Sequence, residues 1–330
     1  RFYLDLISNT FADKPYTLQT FEGGRTIKLL DYFRTNSIGI TNENPIRIQM
    51  GPLIKVAAPL EIVIDKKKKH NLLICGSNDR MANMISNSYM ISAILNKHAR
   101  VYCIDGDKLV GDDTSQDIYN VLLSMTDRFK VADGRSDIIH FIRDIYQDYQ
   151  VWKKQTSNDV IFVVIKNLQF LDIIKTMFKG ENFDESEYVD DEPIASEEIN
   201  PADPFAAINN MFANRNLSLD NISAGEKLIK MVEDGSGFGI HFVVTSLDYQ
   251  TVREVMYYGE NILTKFPERI IFSLSGNDAD NLVENVSVTG LRDNTVYFTD
   301  SVKNTFQMKP YIAPTAIELK EFFENDLCNT

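Results

Sequence analysis

Eight residues lying between a short apolar run and a periodic helix carry the spacing of a phosphate-binding loop. They are Gly76, Ser77, Asn78, Asp79, Arg80, Met81, Ala82 and Asn83. A loop that works on nucleotide phosphates reads G-x-x-x-x-G-K-[ST]. Its glycines let backbone N–H groups curl round phosphate, its lysine reaches the terminal phosphates, and its hydroxyl holds magnesium. Only Gly76 is of the expected type here. Met81 stands for the second glycine, Ala82 for the lysine and Asn83 for the hydroxyl residue. A helix N-terminus still offers free N–H groups and a positive dipole end, so weak anion binding is one expectation. Taken alone, the match is equally that of an ordinary turn in an α/β sheet.

Positioning such a loop requires a buried strand before it and a helix after it. Residues 72–75 are apolar throughout, as in a central strand. Met81, Met84, Ile85, Ser88, Ile91 and Leu95 then recur at three- and four-residue steps, predicting a helix with one mostly apolar face. Further apolar runs at 101–104, 160–165, 240–245 and 269–274 read as strands, with 160–165 the strongest central candidate. Helical patterns fall at 115–129, 136–152, 204–213 and 224–232. Strands separated by helices imply right-handed crossovers and a mostly parallel sheet covered on both faces. Residues 46–50 and 60–64 alternate like half-buried strands, and 295–308 reads as a hairpin. Gly235-Ser236-Gly237-Phe238-Gly239 resembles a dinucleotide fingerprint but follows a helix and precedes a strand, the reverse of what that motif needs. It is expected to stop a helix and make a tight turn.

Composition narrows the chemistry. A formal net charge of -13 argues against a surface that grips nucleic acid or anionic lipid. His70, His98, His140 and His241 share no ligand spacing, and Cys75, Cys103 and Cys328 show neither metal nor disulfide spacing, so no metal site is expected. No apolar run approaches the roughly 20 residues of a membrane span, so this chain is not expected to insert in a membrane. The first residue, Arg1, is not Met, which suggests a piece of a longer protein. Residues 181–203 hold ten acidic side chains and no Lys or Arg, reading as an acidic insertion. The basic run of residues 66–69 is a solvated turn or a contact for an acidic partner. The expected organisation is a lead-in segment over 1–40, a domain over 41–315 with the acidic insertion, and a C-terminal helix and tail over 316–330. Within those flanking parts, helices are predicted at 26–33 and 316–323.

In order and spacing, four stretches together resemble the FtsK/SpoIIIE class of hexameric translocating ATPases, over residues 37–312. Within that class the similarity is to the C-terminal ATPase module of the membrane-anchored coupling proteins of bacterial type VII secretion. The stretches are Gly76 to Asn83, the strand of 160–165 with the residues just after it, Gly239-Ile240-His241 leading to Thr245, and Phe266-Pro267-Glu268-Arg269-Ile270. The resemblance implies a three-layer P-loop NTPase fold of the RecA/FtsK type. It also implies that the strand of 160–165 should end in an Asp that helps to hold magnesium and a Glu that orients water. Those places hold Lys166 and Asn167. Thr245 takes the place of a polar residue that senses the terminal phosphate, and Arg269 lies in a segment that faces a neighbouring subunit in related modules.

A degenerate nucleotide site is what the resemblance implies: ATP bound weakly or not at all, magnesium not expected, and no catalytic residue. The expected role is substrate recognition, coupling, or regulation of active sister domains in type VII secretion. Implied partners are secreted helical-hairpin proteins, preceding ATPase domains of the same chain, and a homo-hexamer of the parent protein. The parent would be anchored in the plasma membrane with this part on its cytoplasmic face. One alternative is an active ATPase in which Arg80, Lys166 or a neighbouring chain restores the missing functions. Another, DNA translocation, is disfavoured by the charge.

Overall fold

The computed structural model describes residues 26–326 apart from 56, 66–67, 111–114, 156, 180–221, 257–261, 285, 287, 289–290 and 292–293. The acidic insertion of 181–203, the helix expected over 204–213 and Cys328 lie outside the described residues. The strands are β1 (Ile46–Gly51), β2 (Leu60–Ile64), β3 (Leu72–Cys75), β4 (Ala99–Asp105), β5 (Phe129–Val131), β6 (Val160–Lys166), β7 (Ile240–Ser246), β8 (Glu268–Ile271), β9 (Val296–Thr299) and β10 (Thr305–Met308). Eight of them form one sheet in the order β10-β9-β8-β3-β7-β6-β4-β5. From β8 to β5 all neighbours are parallel, and β9 and β10 add an antiparallel edge.

Side chains alternate across this sheet, as strand geometry requires. Leu72, Ile74, Phe162 and Val164 enter one core, while Leu73, Cys75, Ile161, Val163 and Ile165 enter another on the opposite face. The first core contains the helices α1 (Leu29–Thr35) and α2 (Asp79–Ile94). After α3 (Gly106–Val110) and α4 (Gln116–Met125), the second face is covered by α5 (Arg135–Lys154), α6 (Asp172–Lys179) and α7 (Ala224–Asp234). The result is three layers with a parallel sheet between them. Further α-helices among the described residues are α8 (Tyr249–Met256), α9 (Gly276–Leu282) and α10 (Ala316–Glu321).

Several expectations need correction. The apolar face expected of α2 is instead a helix buried nearly all round, from Met81 and Ala82 to Ile94. Strands β1 and β2, read only as half-buried strands, form an antiparallel pair of their own outside the main sheet, with Ile46 opposite Ile64, and β1 lies against α2. That second cover explains why Ser86, Ser88 and Ser92 are buried as well. Phe129 does not end a helix: α4 stops at Met125 and Phe129 begins β5, which pairs with β4 through Val101. Part of the segment expected over 1–40 packs on the core. Leu29, Leu30 and Phe33 are buried, and the Leu29 N–H bonds the Ile312 carbonyl. The glycine run behaves as expected: Gly235–Phe238 is a 3-10 turn closed by Gly239 at φ 91°, a conformation suited to glycine.

Candidate functional site

The candidate site lies where the parallel strands end, at the turn β3–α2 and the C-terminal ends of β4, β6 and β7. The turn after β3 is short. Gly76, Ser77 and Asn78 complete it, and Asp79 is already the first helical residue. Arg80, Met81, Ala82 and Asn83 are therefore helix, not loop. Asn78 caps this helix: its side-chain oxygen accepts from the Met81 N–H at 3.0 Å, satisfying one of the donors that a helix start leaves open. Asp79 puts a carboxylate in the first turn, where the helix dipole favours it. Asn83 donates to Asp79 Oδ1 at 3.0 Å. Gly76 has a packing reason to be glycine. A Cβ there would stand 2.2 Å from the Phe272 carbonyl oxygen and 2.5 Å from its ring. Ser77 donates its hydroxyl proton to the Ser273 carbonyl. The turn is thus fastened to the end of β8.

The other half of the site is built on β6. Lys166 is its last residue and is fully buried. Its register partner on β4 is Asp105, so a cation and an anion end adjacent strands at the same level. The Lys166 ammonium lies 2.9 Å from Asp105 Oδ2, 3.0 Å from Ser115 Oγ and 2.7 Å from the Tyr119 hydroxyl. Three protons meet three acceptors. The Tyr119 hydroxyl donates a hydrogen bond to Asp105, and burial, with Cys103 and Asp105 nearby, holds Tyr119 well above the ordinary phenol range. Ser115 sits at the N-cap of α4 yet makes no capping bond with its side chain, because its hydroxyl faces Lys166 instead.

Asn167 comes next in the left-handed region, φ 54° and ψ 57°, where Asn is tolerated better than most side chains. Its N–H donates to Thr245 Oγ1 at 2.8 Å and its side-chain NH2 to Asp107 Oδ2 at 2.6 Å. Asp107 is itself buried. Burial first, then the carboxylates of Asp105 and Asp79, push its pKa up to about 6. Gly106 permits the approach of the two strand ends: a Cβ there would lie 2.5 Å from the Asn167 carbonyl oxygen.

The predicted residues therefore divide. Lys166, Asn167 and Thr245 come together in one buried network, joined by Asp105, Asp107, Ser115 and Tyr119. Met81 and Ala82 are buried in the start of α2, whereas Arg80 is exposed on its first turn. Arg269 points its guanidinium at its own chain, donating to the carbonyls of Phe266 and Leu282. Sequence reasoning missed Asp105, Tyr119 and Ser115 as partners of Lys166. The opposite charges that follow runs 101–104 and 160–165 were visible in the sequence; that the two strands are neighbours was not. His70 lies in the core, with its Nδ1 2.8 Å from Glu268 Oε1. Cys75 and Cys103 are free and buried, as expected of small core hydrophobes. Among the described residues no cluster of His, Cys, Asp and Glu is arranged to hold a metal, and no helix is long and apolar enough to cross a membrane.

No protein-family model matches this chain, and no curated protein matches its sequence. Solved structures share its fold. It is similar to Thermomonospora curvata EccC (ATPases 2 and 3) in complex with a signal sequence peptide, at 12% identity and a TM-score of 0.55, covering 85% of this chain and 43% of that one. The cytoplasmic domain of EssC matches at 10% identity and a TM-score of 0.53, over 94% of this chain and 51% of that one. The pCW3 conjugation coupling protein TcpA, solved as a monomer form with ATPgS, matches at 12% and 0.54, over 86% and 72%. Likeness at this identity establishes the fold alone: the three-layer architecture of P-loop NTPases, with a mostly parallel central sheet. The chain spans about half, or less, of the length of the two secretion ATPases.

Proposed function

We propose that this chain is a non-hydrolysing ATPase-fold module of a type VII protein secretion motor, serving substrate recognition, coupling, or regulation of active sister domains. The observation that supports it most is the commitment of Lys166. In this fold the residue at the end of that strand should help to hold magnesium. Here it is a cation whose three protons are already given to Asp105, Ser115 and Tyr119. Phosphoryl transfer is catalysed almost wholly by charges placed on metal, phosphate and water. The residues present are a poor fit for a magnesium–nucleotide. The helix start is capped by Asn78 and carries Asp79, Asn167 accepts no proton from water, and Asp107 is already burdened by neighbouring carboxylates.

The secretion context rests on the fold shared with EccC and EssC and on the order of sequence stretches that resemble that class. On this reading the partners are secreted helical-hairpin proteins and the sister ATPase domains of a membrane-anchored parent, on the cytoplasmic face of the plasma membrane. A signal helix would bind by apolar anchors at i, i+3 and i+4. The test is ATP turnover by the 330-residue chain, alone and mixed with an active sister domain, with and without a C-terminal export-signal peptide. Absence of turnover alone, with a change in the sister domain's rate, is the expected result. Magnesium-dependent turnover by the chain alone would overturn the proposal.

One observation favours a second reading. Arg80 is exposed on the first turn of α2, placed to meet an anion arriving from solvent. Nucleotide held without magnesium and without hydrolysis would then regulate the module. Calorimetry with ATP in EDTA, on wild type and Arg80→Ala, tests it: no heat from wild type removes this reading.

A further inference from the structure

Among the twelve largest fully buried side chains of the described residues, Lys166 is the only charged one. Nothing about the strand demands a cation there. The β6 run Val160 to Ile165 is apolar and a Leu or Met would continue it, at no desolvation cost. What the ammonium does is join elements that are distant in the chain. Asp105 ends β4 and receives the ammonium on Oδ2, while its Oδ1 accepts the Asp107 N–H at 3.1 Å and so fixes the first turn of α3. Ser115 and Tyr119 bring the start of α4 to the same nitrogen. Asn87 of α2 reaches Ser115 Oγ at 3.4 Å. β4 and the start of α4 thus meet at one nitrogen, with α3 tied on through Asp105 and α2 through Ser115, at the strand end where a ligand would sit in an active relative of this fold.

We infer that the end of β6 is a buried ammonium-binding site whose ligand is built into the chain as Lys166, holding α3 and α4 in place with no nucleotide or metal. This deepens the proposed function and rests on the same placement of Lys166. It adds that the module is self-liganded: the placement of α3 and α4 is permanent rather than switched by an exchangeable ligand. The chemistry that the site selects is a primary ammonium. It offers one carboxylate oxygen and two hydroxyl oxygens to a group with three N–H donors.

The test uses the whole 330-residue chain. Lys166→Met keeps the length and removes the charge, leaving Asp105 buried without its cation. Breaking a buried pair in this way is expected to raise the unfolding equilibrium constant roughly a hundredfold or more, read by urea unfolding. Amide exchange should rise in Gly106–Val110 and Gln116–Met125 before it rises in β7 or β8. The double variant Lys166→Met/Asp105→Asn should recover at least part of that loss. Lys166→Ala opens room for the missing stem, and n-propylammonium chloride should restore its urea midpoint and the protection of α4. Sodium chloride and 1-propanol at the same concentration should not. Unchanged unfolding and exchange in Lys166→Met would overturn the inference, and so would rescue of Lys166→Ala by 1-propanol equal to that by n-propylammonium. Turnover of ATP by the wild-type chain would sink the proposed function alone, whereas an indifferent Lys166→Met would sink this inference alone.

Discussion

On the function proposed above, the two halves of the site have departed from nucleotide chemistry by different physical routes. At Gly76 to Asn83 the helix start itself is rebuilt locally: it begins early and the adjacent Asn78 caps it, while Gly76 and Ser77 rest against Phe272 and Ser273 from far along the chain. At Lys166 and Asn167 the change is long-range. A buried ion pair and its hydroxyl partners link residues 47 to 61 positions apart in the chain. A local solution depends on backbone geometry and is forgiving of charge. A buried ionic solution is intolerant, because removing any one partner strands a charge in a medium that solvates it poorly.

That contrast ranks the expected damage. Asp105→Ala removes the carboxylate from Lys166, Tyr119 and the Asp107 N–H together, and should cost about 3–5 kcal/mol in urea unfolding. A loss under about 1 kcal/mol would mean that the ion pair is not what holds this end of the sheet. Gly76→Ala acts on the other half by steric conflict with backbone, since the Phe272 carbonyl cannot swing away as a side chain would. Overpacking of this kind costs roughly 1–3 kcal/mol, and the melting temperature should fall accordingly. Equal stability of Gly76→Ala and wild type would reopen the view that this glycine is kept for phosphate.

Asp107 sharpens the comparison through pH. Its pKa stands at about 6 in the folded chain, raised by burial and by Asp105 and Asp79, against an ordinary carboxyl value of about 3.9 when unfolded. Between those values the folded state keeps a proton that the unfolded state has released. The stabilisation from that proton is full below about pH 4 and is lost as pH rises through about 6. Asp107→Asn removes the titration while leaving an oxygen for the Asn167 NH2. The variant should match wild type at about pH 4 and exceed it at about pH 7.5, by at most about 2–3 kcal/mol. An advantage that does not grow over this interval would show that Asp107 does not carry the strain assigned to it.

Much of the fold was legible because periodicity reports burial. The run 160–165, apolar without interruption, had to be central, and the spacing of glycines after α7 had to end a helix. The independence of β1 and β2 was not legible. Alternation says that one face is covered but not by what, and so α2 was expected to have a free side. The short strand β5 was missed because Phe129 also fits the helical pattern that precedes it, and only pairing with β4 decides. In the site, loop spacing pointed to Gly76 to Asn83 and the resemblance to Lys166 and Asn167, yet neither pointed to the partners of Lys166. Asp105 and Tyr119 become its neighbours only through the strand order, which no local pattern contains.

The smallest effect tests the local half most cleanly. Asn78 has one task in the structure, to accept the Met81 N–H through its side chain and carry its own carbonyl into the first helical bond, to Ala82. Asn78→Ala keeps the carbonyl and loses the cap, with an expected cost of about 1 kcal/mol. Asn78→Gly should cost only a few tenths, because water can then reach the open N–H. The order matters more than either value. If the turn were a strained phosphate cradle, loosening it with glycine would release anion binding, and sulfate would raise the melting temperature of Asn78→Gly above that of wild type. If it is a capped helix start fastened by Phe272, sulfate should act on both chains alike, and the alanine variant should remain the less stable of the two in every salt.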